Sequence, residues 1–476
     1  MDEPAGAPEA RLARGGDPVA EPPVVQRGRV FAIVALALLM MSVDSTIVAT
    51  ALHALQQGLD TSINWAGWTI TAYSLGFVLM LPVSGRLSER FGRRRVFLAS
   101  VVAFTGASLL CALADDIYVL IALRALQAAG GAGFTPSATG IVVDYFGDQR
   151  DRAVSLFGSI FPIGAMIGPF FGGLFVAHWS WRGVFFVNVP IGIAIVFFAL
   201  RWIPRDAPLA RRMSIATDGA GMALLGSGLL AGMLAASWLG EPESPVGALG
   251  VVAAAAVALA ALWTFFRHIA SSAEPFIAPR LIHGTGFGAV NLVNASFGGL
   301  TNGAMVLLPL YAINRYAIDA LGAGTLLVVQ GAAAIALSFS AAMLLRRTGH
   351  RLPLYVGGGA IAFGLLLLAI APVGGATPFG WLAAASFVIG AGRGTINPAS
   401  RNAGLQLAPE HSSTLAALRT ASLQVGSITT VSVVTAILAR FGDPGLAQAF
   451  VYAALAVLLA VAMALIARVP EHRGTW

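Results

Sequence analysis

The chain has 476 residues, of which 57% are hydrophobic and 11% charged, with a mean hydropathy of +0.80 and a formal net charge of +7. This balance fits an integral membrane protein rather than a soluble one. The basic excess is all arginine, which belongs first at the ends of membrane helices and does not imply nucleic acid. Cys111 stands alone, so there is no disulfide framework and no thiolate metal site.

Residues 1–29 are rich in Pro, Gly, Ala and charge, and read as a disordered tail. The apolar run that follows is too long for a signal peptide and is expected to be retained. A helix needs about 20 residues to cross the hydrocarbon. Apolar stretches of that size lie at 30–51, 66–87, 95–114, 117–141, 153–177, 183–203, 219–239, 248–267, 286–312, 320–345, 352–371, 379–398, 414–439 and 446–468, fourteen in all. No connecting loop is long enough for a soluble domain, which argues against a membrane-anchored enzyme.

The arginines orient these spans. With the N-terminus inside, the inner segments carry Arg86, Arg90, Arg93, Arg94 and Arg95, then Arg150 and Arg152, then Arg201, Arg205, Arg211 and Arg212, then Arg267 and Arg280, and finally Arg346, Arg347 and Arg351. The outer segments hold only Arg182, Arg315 and Arg440, and are acidic at Asp115-Asp116 and at Glu241 and Glu243. Positive residues gather on the cytoplasmic side, so both termini are expected in the cytoplasm.

In the first span, Asp44 interrupts an otherwise apolar run. A carboxylate at that depth costs several kcal/mol unless it faces water, finds a partner or takes up a proton. Three readings stay open: a structural carboxylate tied to an arginine or amide, a proton carrier, or a counter-charge for substrate. Trp65 and Trp68 read as interface anchors at the outer end of span two, with Tyr73 within reach of a cavity. Arg124, in span four, must snorkel, face water or meet an anion, as a structural lock or a tuner of proton release. In span five, Gly164, Gly168 and Gly172 share one face at i,i+4 spacing, and Pro169 allows a kink. Close packing alone, or a bent seam that governs alternating access, would each explain that pattern. Asn291 and Asn294 share a face of span nine, either lining a cavity or bonding between helices, and Gly298 separates them from Asn302. Arg393 in span twelve lies nearer the cytoplasmic end, where snorkelling is cheap, which favours a structural role.

A short repeat ties the two ends of the chain together. Gly85-Arg-Leu-Ser-Glu89-Arg90-Phe-Gly92-Arg93-Arg94 joins spans two and three, and Leu344-Leu-Arg-Arg347-Thr-Gly349-His-Arg351 joins spans ten and eleven. Superposing Gly92 on Gly349 also aligns Leu87 with Leu344, Arg90 with Arg347 and Arg94 with Arg351. The copies stand eight spans apart, as expected of two six-helix halves with two extra helices between them. The implied division is a cytoplasmic tail at 1–29, an N-terminal bundle at 30–203, a linker with two extra spans at 204–285, a C-terminal bundle at 286–468 and a tail at 469–476.

These segments resemble the major facilitator superfamily, and within it the fourteen-helix drug:proton antiporter group. The loop with Gly85, Glu89, Arg90, Gly92 and Arg94 is similar to the superfamily's cytoplasmic gating motif, with Glu89 where Asp is usual. Arg124-x-x-Gln127 with Gly130 resembles the motif linked to proton transfer. Gly164-x-x-x-Gly168-Pro169-x-x-Gly172-Gly173 resembles the antiporter motif of the fifth helix. Trp179-Ser-Trp181-Arg182-Gly-Val-Phe185-Phe-Val-Asn188-Val-Pro190 resembles a segment typical of the fourteen-helix group. Val43-Asp44-Ser-Thr46-Ile47-Val48 resembles the family's first span, with Ala49 and His53 departing from Asn and Pro.

The resemblance implies an all-α major facilitator fold, working as a monomer in the bacterial inner membrane. It implies proton-coupled export of lipophilic small molecules, with no cofactor, no metal and no nucleic acid. Asp44 and Arg124 would carry coupling, and Thr46, Gln127, Tyr73, Asn291 and Asn294 would line the substrate cavity. The absence of further membrane acids in the C-terminal half points to monocationic, zwitterionic or neutral amphiphilic substrates. A dedicated exporter of an endogenous lipid, siderophore or antibiotic is the near alternative, and a non-transporting sensor or scaffold the distant one.

Overall fold

The computed structural model describes residues 26–146, 150–206, 218–240, 246–272, 275, 279–284, 286–407 and 412–471. Most of the expected N-terminal tail, Arg211, Arg212, Glu241, Glu243 and residues 472–476 lie outside that set, as do the side chains of Arg86, Glu89, Arg150, Arg152 and Arg346. The described residues are helical and contain no strand. The order is α1 (Arg27–Gly58), α2 (Ile63–Phe91), α3 (Arg93–Ala112), α4 (Ile117–Gly131), α5 (Phe134–Phe146), α6 (Arg150–His178), α7 (Gly183–Phe186) and α8 (Asn188–Trp202). Then come α9 (Gly219–Gly240), α10 (Gly247–Ser271), α11 (Pro279–His283), α12 (Phe287–Val293), a π-helical stretch (Asn294–Leu300), α13 (Thr301–Val306) and α14 (Leu308–Tyr316). The chain ends with α15 (Ala320–Thr348), α16 (Arg351–Ala369), α17 (Pro378–Leu407), α18 (Ser412–Arg440), α19 (Pro444–Ala462) and a 3-10 stretch (Met463–Arg468).

Each of the fourteen apolar stretches is helical. Among the described residues, ten helical segments are long and apolar enough to cross a bilayer, or eleven when Phe287–Val306 and Leu308–Tyr316, bent by 43° at Leu307, count as one span. α2, α6 and α17, of comparable length, fall outside that number. Helix is the form expected here, because hydrocarbon offers no partner for an unpaired backbone group.

Two apolar cores stand apart. One draws on Val30 to Ile203, with Phe97, Phe104 and Phe134 at its centre, and the other on Val290 to Val469, around Phe297, Tyr311 and Tyr452. A third cluster bridges them: Leu52, Leu55, Ile63 and Trp181 meet Leu307, Leu310, Val434 and Leu438. These residues sit near the arginine-poor helix ends, so that end of the molecule is sealed. The seal is tight because glycine lets backbones touch. A Cβ on Gly173 would stand 2.6 Å from Ala320 O of α15, and Gly324 of α15 lies hard against Pro169 O of α6.

α9 and α10 pack on one another, and α9 also lies against both α2 and α18. Asn64 Nδ2 donates to Ser237 O at 2.9 Å, and Trp68 Nε1 to Ser237 Oγ at 2.5 Å. Trp68 is therefore buried against α9 and is not the interface anchor its position suggested. It brings a polar N–H that needs a partner in an apolar setting, and α9 supplies one.

The loop repeat has a shared structural basis. Gly92 and Gly349 both take positive φ, at +99° and +73°, where a side chain would be strained. Each is followed by a helix whose first N–H groups are capped by a carboxylate from beyond the end of a later helix. Asp206 accepts from Arg94 N at 2.9 Å and Arg95 N at 3.1 Å; Glu471 accepts from His350 N at 2.8 Å and Arg351 N at 3.3 Å. Both caps place negative charge where helix N–H groups are unpaired. Asp206→Ala is expected to cost about 1 kcal/mol. It should lower the melting temperature read by a thiol-reactive dye on Cys111, which is the only cysteine and fully buried. An unchanged melt would show that the cap is dispensable.

Candidate functional site

Asp44 projects into the interior of the first bundle, and its carboxylate is fully engaged. Oδ2 accepts from Arg124 Nη1 at 2.8 Å, and Oδ1 accepts from Gln127 Nε2 at 2.9 Å and from Asn188 Nδ2 at 2.7 Å. The arginine is held from other sides as well, since Nε donates to Thr69 O at 3.1 Å and Nη1 also to Gln127 Oε1 at 2.5 Å. Ser108 Oγ accepts from both Gln127 and Asn188. The Tyr73 ring lies 4.2 Å from the guanidinium carbon, with Phe185 at 5.4 Å. Asp44, Gln127 and Ser108 are completely buried, Arg124 and Asn188 are 1% exposed and Tyr73 is 4% exposed.

Five parts of the fold build this cluster: α1, α2, α3, α4 and the α7–α8 break, which brings in Asn188 as the first residue of α8. A buried ion pair is tolerable only when its remaining donors and acceptors are satisfied, and here they largely are. Chemically, the arrangement can hold a proton-accepting carboxylate beside a permanent cation, screened from bulk water. Sequence reasoning placed Asp44 and Arg124 together in one role and put Gln127 and Tyr73 in a cavity; in this conformation all four belong to one closed network. Ser108 and the role of Asn188 were missed. Asn188 had a signal, since it lies in the Trp179–Pro190 segment, whereas Ser108, one of two serines in span three, had none.

Comparison with known proteins follows from this architecture. The Major Facilitator Superfamily profile matches residues 34–219 and 209–431. The chain belongs to that superfamily. A methylenomycin A resistance protein of Streptomyces coelicolor is 30% identical over 97% of this chain and 98% of its own length. A multidrug resistance protein B homolog of Mycobacterium tuberculosis is 31% identical over 71% of this chain and 63% of its own, longer sequence. Among solved structures, a peptide transporter POT in complex with sulfate matches with a TM-score of 0.67 at 15% identity, covering 93% of this chain and 96% of that one. The xylose transporter XylE from E. coli, in an inward open conformation, matches at 0.62 and 13%, over 94% and 98%. These two likenesses establish the fold.

The facilitator's fifth-span glycines find their neighbour in α1. Gly164, Gly168 and Gly172 stand opposite Ser42, Thr46 and Thr50, and a Cβ on any of the three would collide with the facing hydroxyl. Thr46, assigned to the cavity from sequence, sits in this seam with Oγ1 donating to Val43 O at 3.1 Å and reaching Gly164 O at 3.5 Å. Asp44, two residues from both Ser42 and Thr46, points about 200° away around the helix. One helix thus presents its hydroxyls to α6 and its carboxylate to α4 and α8.

The gating loop is held locally. Arg93 pairs with Asp144 at 2.5 Å and also bonds Gly140 O, while Arg94 Nη2 donates to Leu200 O at 2.9 Å. Arg90 lies over the Phe91 ring, and a Cβ on Gly85 would meet Pro136 only at ordinary contact distance. Asn291 donates to Leu281 O at 2.8 Å and Ile282 O at 3.1 Å, tying α12 to α11; Asn294, 3% exposed, opens the π-helical stretch.

A double-mutant cycle should expose the cluster's energetics. Removing one partner, by Asp44→Ala or Arg124→Ala, is expected to destabilise by about 3–5 kcal/mol, because the other charge is left buried and unpaired. The double substitution should cost clearly less than the sum. Additive losses in denaturant unfolding of the purified protein would show that the pair is not coupled.

Proposed function

We propose that the chain is a proton-coupled exporter of lipophilic or amphiphilic small molecules, drugs among them, working by alternating access. One observation carries this reading: Asp44, fully paired with Arg124, Gln127 and Asn188 in the interior of a membrane bundle. Its relatives among drug-resistance transporters support the class of substrate. Protonating Asp44 would cancel its charge and leave Arg124 a buried cation without a counter-ion. That state costs several kcal/mol unless the cluster repacks. Proton uptake is thereby linked to rearrangement of α1 and α4, and α1 shares its other face with α6, which carries the seal to α15.

In this scheme residues 30–203 and 286–468 are the two moving bundles, and 204–285 carries the two extra spans. The protein acts as a monomer in the bacterial inner membrane with both termini in the cytoplasm. Thr46, Gln127, Tyr73, Asn291 and Asn294 become available to substrate when the cluster and the seam open. The Gly85–Arg94 loop and the Gly164–Gly173 seam control which side is open. A dedicated exporter of a single antibiotic is the second reading, favoured by the end-to-end match to the methylenomycin A resistance protein.

Purified protein in liposomes, with a pH-sensitive dye inside and an imposed proton gradient, tests the proposal. Substrate-triggered proton flux is expected in wild type and should fall at least tenfold in Asp44→Asn. Undiminished flux in that variant, correctly folded and inserted, would remove Asp44 from coupling. Response to one compound of a broad panel would select the dedicated exporter.

A further inference from the structure

Among the described residues, Arg393 of α17 and Arg419 of α18 in the C-terminal bundle meet no acid. Arg393 sits at the midpoint of α17 (Pro378–Leu407), a helix that runs on past the polar residues that end its apolar stretch. Its Nη2 donates to Asn302 Oδ1 at 3.0 Å, and Asn302 Nδ2 donates onward to Ser427 Oγ at 3.2 Å. Arg419 of α18 donates through Nη2 to Asn397 Oδ1 at 2.5 Å, while its Nε is buried without any partner. Asn397 is four residues beyond Arg393 on the same helix face, so the amide that receives Arg419 stands one turn along α17 from Arg393.

The contrast with Arg124 is chemical. Arg124 has a carboxylate, an amide oxygen and a backbone carbonyl around it. Arg393 and Arg419 each meet one neutral amide oxygen, out of five possible donors apiece. The described acids of this bundle, Asp319, Asp443 and Glu471, lie beyond the helix ends, where Asp319 and Asp443 cap α15 and α19 and Glu471 caps α16. Arg393 and Arg419 also keep partial exposure. Arg393 reaches Asn302 of α13 and Arg419 reaches Asn397 of α17, and α18, which carries Arg419, is the helix that packs on α2 across the two bundles.

We propose that Arg393 and Arg419, with Asn302 and Asn397, form a binding site for an oxyanion, and that the exported molecule is an amphiphile carrying a carboxylate or similar planar anionic group. Arginine is suited to this because its planar fork matches a carboxylate with two parallel hydrogen bonds and is less strongly hydrated than an ammonium. Two membrane cations without a counter-ion are costly, and a bound anion satisfies both at once. The site deepens the export reading and rests on it; it narrows the expected monocationic, zwitterionic or neutral amphiphiles to molecules that carry an anionic group.

The test uses the full-length protein in phosphatidylcholine nanodiscs and two fluorescent probes that differ in charge alone, 1-pyrenebutyrate and its primary amide. Wild type is expected to bind the carboxylate at least about tenfold more tightly than the amide. Arg393→Gln and Arg419→Gln should each bring that ratio close to one, and Arg393→Lys should keep part of it. Arg440→Gln, at the opposite end of α18, should leave it unchanged. Equal affinities in wild type, or no binding of the carboxylate, overturn the proposal, and this comparison needs no variant to fold. Loss of the preference on adding phosphatidylglycerol would assign the arginines to a lipid phosphate and overturn the substrate claim. In liposomes, proton flux triggered equally by acid and amide would sink the anion site and spare the export reading. Selective binding without proton flux would do the reverse.

Discussion

The first bundle is organised around a charge pair that has no access to water. Asp44 and Arg124 are tolerated in that setting because Gln127, Asn188 and Thr69 supply the hydrogen bonds that water would. That requirement fixes the rotation of α1, α4 and α8 about their own axes, since turning any of them would strand a charge. Apolar packing alone specifies such angles weakly between membrane helices, where lipid tails compete on equal terms with side chains. The pair therefore sets where everything else on α1 must point.

The consequence is visible on the opposite side of that helix. With Asp44 facing α4 and α8, Ser42, Thr46 and Thr50 are turned towards the glycines of α6, and α6 in turn meets α15 through Gly173, Pro169 and Gly324. A change at Asp44 is thus two helix contacts away from the seal between the bundles. These contacts are glycine against backbone or small hydroxyl, with no long side chain to buffer a shift. Movement of α1 would be passed on to α6 with little loss. The geometry offers a physical route from a proton to a gate, made of packed helices with two faces each.

Much of this was legible in the sequence, and the limits have physical causes. Fourteen apolar stretches could be read off because bilayer thickness imposes a length, and the Gly92 and Gly349 repeat because only glycine suits the conformation both turns adopt. Periodicity gave the face formed by Gly164, Gly168 and Gly172 but could not name its partner, since a face is a property of one helix and a contact of two. The same limit put Gln127 and Tyr73 in a cavity, when both close around Arg124. Hydropathy marks where apolar residues stop and not where the helix does, and α17 continues through Asn397 and Arg401 to Leu407. The capping of α3 and α16 by Asp206 and Glu471 joins residues more than a hundred apart, beyond any local pattern.

The two bundles differ in charge. The first neutralises its central arginine internally, and the second leaves Arg393 and Arg419 with amide partners alone. If the second bundle meets an anion, the energetics of export change in kind. Carrying one negative charge outward while one proton returns moves two elementary charges in the same electrical sense. Each is worth about 2.3 kcal/mol per 100 mV, so both would be driven by a membrane potential that is negative inside. Exchange of a proton for a cation would draw only on the pH difference. Exchange requires that the anion leave before the proton is carried back, so the binding of proton and substrate must oppose each other, and by linkage that opposition is reciprocal. The charge asymmetry of the two bundles would then set the electrical driving force of export rather than a joint binding of proton and substrate.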